Sequence, residues 1–87
     1  MKEVNADIFT TSQNYEVVVI GSVDGTVIGI CGLYDIDWAA KEAEVRIIIK
    51  EEYRDKGYGN ELGRLTILYG FEELKLLKVY SLSLIHI

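Results

Sequence analysis

The apolar positions of this chain fall into short β-branched runs first and one long helical run later, an order that predicts an α+β fold. Tyr15-Glu16-Val17-Val18-Val19-Ile20-Gly21-Ser22-Val23 has strand character, Asp24-Gly25 is a hairpin signal, and the run from Thr26 continues apolar to about Tyr34. Residues 35–41 read as a longer turn, after which Ala43-Glu44-Val45-Arg46-Ile47-Ile48-Ile49-Lys50 forms another strand. The expected product is a three-stranded antiparallel meander. Residues 1–14 show no clear period and read as loop, a poorly structured remnant ahead of the sheet.

Residues 60–74 are good helix formers, and Glu61, Arg64, Glu72 and Lys75 lie in one narrow charged stripe at helical spacing. Leu62, Leu65 and Tyr69 are placed to face the sheet, while Ile67, Phe71 and Leu74 point elsewhere. A helix lying on one sheet face needs a narrower apolar arc than this, so a further covering element is expected. Lys78-Val79-Tyr80 then starts a last strand. A crossover through a helix brings it back parallel to the strand at 43–50.

Between that strand and the helix lies Lys50-Glu51-Glu52-Tyr53-Arg54-Asp55-Lys56-Gly57-Tyr58-Gly59. Glycines at 57 and 59 let the backbone turn its N–H groups inward without Cβ obstruction. The helix starting at about 58–60 adds unsatisfied N–H groups and the positive end of its dipole. Such a strand–loop–helix is built for an anion, and a pyrophosphate is its natural guest. Arg54 and Lys56 flank it with positive charge.

Length and charge narrow the partners. The 87 residues, 49% hydrophobic and without proline, make one small globular domain that buries about 60–65% of its unfolded surface. A net charge of −5 argues against nucleic acid. Acidity suits a cationic acceptor such as a polyamine or a basic N-terminus, and is equally the ordinary charge of a cytosolic protein. The single cysteine, Cys31, excludes an internal disulfide and reads as a small buried hydrophobe. No run of ~18 apolar residues and no apolar signal core appears, so the expected location is the cytoplasm, away from membranes.

Arg54-x-x-Gly57-x-Gly59 resembles the acyl-CoA signature of the GNAT family of N-acetyltransferases, Gln/Arg-x-x-Gly-x-Gly/Ala. Gly32-Leu33-Tyr34-Asp35-Ile36-Asp37, the strand at 43–49, and Tyr69-Gly70-Phe71-Glu72-Glu73-Leu74 followed by Lys78-Val79-Tyr80 look like the branch holding ribosomal-protein N-terminal and spermidine N-acetyltransferases. The resemblance covers about residues 15–81. It implies a partial GNAT fold whose two parallel strands splay to admit acetyl-CoA, with no metal.

It further implies that the main chain of Ile47, Ile48 and Ile49 contacts the pantetheine and acetyl carbonyl. Arg54, Asp55, Lys56, Gly57, Tyr58, Gly59 and Asn60 would hold the pyrophosphate. A main-chain N–H near Ile48 or Ile49 would meet the negative charge that develops on the thioester oxygen. Glu44, where relatives often carry Glu, is the candidate for binding or deprotonating an amine. Tyr34, Asp35 and Trp38 would line the acceptor side. The acceptor class is a small-molecule or peptide amine, and a homo-oligomer is compatible with the family.

The chain departs from the family in several places. Elements before Tyr15 and after residue 87 are absent, so 1–87 reads as a single partial domain. The Asn and thiolate-protonating Tyr usual after the last strand have no match here. That leaves a non-catalytic acyl-CoA-binding module as the alternative reading. Glu51 stands where many relatives have proline. Leu82-Ser83-Leu84-Ile85-His86-Ile87 resembles the translated transposase-adapter end used in sequencing libraries, so native coding sequence is expected to stop at about Ser81. His86 accordingly receives no role.

Overall fold

Asp24 and Gly25 take left-handed backbone angles (φ 51° and 80°), the geometry of a two-residue turn whose twist matches the strands it joins. That turn links β2 (Val17–Val23) to β3 (Thr26–Asp37), and β3 pairs antiparallel with β4 (Glu42–Ile49). The computed structural model describes residues 2–11 and 16–81. The hexapeptide at 82–87 and its expected origin lie outside them.

One expectation needs correcting at once. Within the stretch expected as loop, Asn5–Thr10 form β1, which pairs antiparallel with β2 from Asn5↔Ser22 to Thr10↔Val17. Nearly all its side chains are exposed, so no burial pattern marks it in the sequence. It forms because β2 offers an open row of main-chain donors and acceptors. The meander therefore has four strands.

Boundaries shift elsewhere as well. β3 continues through Asp37, which leaves only residues 38–41 as the turn. Asp37 caps that turn by accepting from the N–H groups of Ala39 and Ala40 at 3.0 and 2.9 Å. The helix, α1 (Tyr58–Glu72), begins within the expected 58–60 and ends before residue 74. Lys75 takes a left-handed conformation (φ 59°), and the Leu76 N–H reaches back to the Gly70 carbonyl at 3.0 Å. This C-terminal cap seats Leu76 in the core and aims the chain at β5 (Lys78–Tyr80), which lies parallel to β4 as expected.

The sheet order is β1-β2-β3-β4-β5, with α1 packed on one face against β3, β4 and β5. Val17, Val19, Cys31, Leu33, Ala43 and Ile49 belong to the core that Leu62 completes from the helix. The helix seats on the sheet along Leu62, Gly63, Thr66 and Gly70, with Leu65 and Tyr69 only half-buried beside them. Apolar counting passed over these small residues. Leu68 and Phe71 remain exposed, in keeping with a helix broader than its sheet contact.

Candidate active site: an open strand edge beneath a glycine loop

Alternation along β4 sorts its residues. Ala43, Val45, Ile47 and Ile49 face α1, whereas Glu44, Arg46 and Ile48 point to the opposite sheet face. Main-chain groups sort the same way. The Lys50 N–H donates to Ile28 C=O at 2.8 Å, and the register pairs Ile30 with Ile48 and Gly32 with Arg46. Ile48 therefore spends its main chain on β3, and its side chain is 61% exposed on the far face. The expectation that Ile48 contacts the cofactor through its backbone does not fit this register. Ile47 and Ile49 turn their N–H and C=O groups toward β5 instead.

β5 meets that edge only at Glu42↔Lys78, Ala43↔Val79 and Glu44↔Tyr80 among the described residues. Beyond it a groove of about 460 Å³ opens between β4 and α1, with Ile47, Gly59, Asn60, Gly63, Ile67 and Phe71 on its walls. Gly63 sets the spacing: a Cβ there would lie 2.8 Å from Ile47 Cδ1. With no side chain at that position the helix rides close to β4 without displacing the end of Ile47.

The loop closes one end of the groove. After one 3₁₀ turn at Glu51–Tyr53, Gly57 takes φ 86° at the N-cap of α1, and no side chain caps the helix. The N–H groups of the first turn are thus left for an external acceptor. Tyr58 is buried and meets Tyr53 edge-to-face at 5.9 Å, which fixes the loop to its own helix. Arg54 Nε donates to the Ile49 carbonyl at 3.2 Å and ties the loop to the strand end. Lys56 Nζ lies 6.0 Å from the Tyr53 ring, and Asp55 takes φ 60°. Of the expected cofactor residues, Ile47, Gly59 and Asn60 line the groove itself, while Arg54 binds the Ile49 carbonyl, Gly57 and Tyr58 form the start of α1 beside it, and Asp55 and Lys56 are exposed on the loop.

A second group lies on the opposite face of β4. Glu44 is buried, and Arg46 grips it with two bonds, Nε–Oε2 at 2.8 Å and Nη2–Oε1 at 3.2 Å. The guanidinium sits 4.7 Å from the centre of the Tyr34 ring, and Asp35 approaches it at 3.7 Å. Arg46 had no role in the sequence reading. The signal was available, since Glu44 and Arg46 are alternate residues of one strand and so share a face. Trp38 does not join this group. It lines a separate cavity of about 220 Å³ with Val17, Ile36 and Leu74.

The grip of Arg46 holds the Glu44 carboxyl below the usual carboxylate range, against desolvation, which pushes it up. A carboxylate so held is a weak base. Its depressed pKa contributes stability that is present above the unfolded-state pKa and lost as pH falls through the folded one. Arg46→Gln removes the lowering partner and leaves the burial. A ¹³C titration of the Glu44 carboxyl should therefore shift upward in this variant. A midpoint that stays put would show that the pair is not formed in solution.

A family model for the acetyltransferase (GNAT) domain matches residues 2–85. Spermidine N(1)-acetyltransferase of Escherichia coli strain K12 is 39% identical over 57 residues, which cover 66% of this chain and 31% of that protein. Among solved structures, a dodecameric spermidine N-acetyltransferase from Vibrio cholerae superposes with TM-score 0.72 at 29% identity, over 77% of this chain and 40% of the other. A probable acetyltransferase superposes with TM-score 0.68 at 31% identity, over 74% and 36%. The chain thus spans about a third of the length of the curated relatives it matches.

Proposed function

The chain belongs to the acetyltransferase (GNAT) domain family, and from that premise we propose that the protein transfers an acetyl group from acetyl-CoA to a primary amine, a polyamine or a protein N-terminus. The groove between the open edge of β4 and the uncapped start of α1 carries this reading. Its apolar walls suit a thin pantetheine chain, and the free N–H groups at its mouth suit a diphosphate.

Acetyl-CoA supplies the activated thioester. The first-turn N–H groups at Tyr58, Gly59 and Asn60 hold the pyrophosphate, the Gly57 turn lets it approach, and Arg54, Asp55 and Lys56 shape the rim. Ile47 and Ile49 offer main-chain groups along the groove, and the Ile49 N–H stabilises negative charge on the thioester oxygen. Glu44, held as carboxylate, attracts a cationic acceptor more readily than it deprotonates one. Tyr34 and Asp35 stand beside it on the acceptor face. A polyamine acceptor is supported by the activity named for the E. coli and V. cholerae relatives.

A cytoplasmic location and assembly of several copies belong to the same reading. No helix of the described residues is long and apolar enough to cross a membrane.

Calorimetry with acetyl-CoA, followed by a free-thiol assay with spermidine, tests the proposal. Binding with weak amine-dependent thiol release is the expected result. Binding without release would support an acyl-CoA-binding module instead, and absence of binding would refute both.

A further inference from the structure

We propose that Arg46 is a resident cation in the acceptor site, and that an amine acceptor binds by displacing its guanidinium from Glu44 and Asp35. This rests on the acetyltransferase reading for what the acceptor is, and on the geometry of the cluster for where it binds.

Simple alternation along β3 would place Asp35 on the α1 face beside Leu33. It does not lie there, because the β3–β4 register jumps from Tyr34↔Glu44 to Asp37↔Glu42, one extra residue on β3. Within this bulge Asp35 takes φ 51°, a left-handed conformation that aspartate adopts more readily than most side chains. The result is a second carboxylate turned back over Arg46, whose Nη2 it approaches at 3.7 Å. The bulge thus sets a second carboxylate beside a cation that Glu44 already chelates.

The remaining contacts fit the same guest. Glu44, Asp35 and Arg46 together carry one uncompensated negative charge, and the Tyr34 ring supplies an aromatic face. An alkylammonium group matches two carboxylates and a ring as well as a guanidinium does. Exposure decides which partner can move. The Glu44 side chain is 6% exposed and fixed, whereas Arg46 is 53% exposed and Asp35 72%. Arg46 is thus the partner that can swing out to solvent, leaving Glu44 in place for another cation. Glu42, Asp37 and Lys78 are the other charged residues that the register places on this face beside the cluster, and together they add one further negative charge. The cluster also sits on the strand whose Ile47 lines the groove, so an amine at Glu44 approaches that groove from the side opposite α1.

Calorimetry with spermidine, without CoA, gives the test. Arg46→Gln should tighten spermidine about 3–10-fold by removing the competitor, and adding Glu44→Gln to that variant should erase the gain. Arg46→Lys, which keeps the charge but loses the two-pronged grip, should give a smaller gain and serves if Arg46→Gln does not fold. Unchanged or weaker spermidine binding in folded Arg46→Gln, or in folded Arg46→Lys if that variant is needed, would overturn the proposal. Acetyl-CoA affinity measured on the same samples separates the two readings. If acetyl-CoA binds and spermidine does not tighten, only the role of Arg46 falls. If the unmodified protein fails to bind acetyl-CoA, the acetyltransferase reading falls, and the spermidine comparison still decides the cation site.

Discussion

Gly57→Glu is expected to abolish acetyl-CoA binding, weakening it by about 100-fold or more, while the sheet stays folded. Two effects combine at this position. Gly57 holds φ 86° at the N-cap of α1, where an L side chain is strained by roughly 1–2 kcal/mol. The new carboxylate would also stand at the helix start and repel a diphosphate there, a like-charge contact that costs several kcal/mol. Gly57 is exposed, so little core packing is disturbed. Gly57→Ala separates the terms, since it keeps the strain without the charge and should weaken binding far less. Calorimetry on both variants reads the difference. Equal affinity for Gly57→Glu and the unmodified protein would remove the loop from the binding site.

Leu62→Ala is expected to destabilise the fold by about 2–5 kcal/mol, the usual result of truncating a fully buried leucine. Its side chain reaches the sheet where Gly21 leaves room, since a Cβ on Gly21 would lie 2.8 Å from Leu62 Cδ2. A domain of this size has about 5–10 kcal/mol in total, so the loss is a large share. Urea denaturation should show a midpoint lower by about 1–2 M with an unchanged slope. A change below ~1 kcal/mol would mean that α1 does not seat on β2 and β3 through this residue.

The sequence made most of this architecture legible where one local signal dominated. Asp24-Gly25 announced the hairpin, and the glycines after β4 marked the start of α1. β1 escaped because an exposed strand at a sheet edge leaves no alternation to read. The face of Asp35 escaped because a bulge breaks alternation, and nothing between Tyr34 and Asp37 signals the extra residue. Thr66 was passed over as polar. It is buried on the helix–sheet seam, where its hydroxyl donates to the Leu62 carbonyl at 2.9 Å. Ile48 was grouped with its neighbours because three isoleucines in a row look alike, although ladder pairing gives the middle one a different main-chain partner.

The most direct test of where acetyl-CoA binds is an amide-resolved NMR titration of the protein with CoA. The largest shifts should fall on Gly57, Tyr58, Gly59 and Asn60, with Ile47 and Ile49 following along the groove. Shifts confined to the cavity around Val17, Trp38 and Leu74, or none at all, would contradict the site described here.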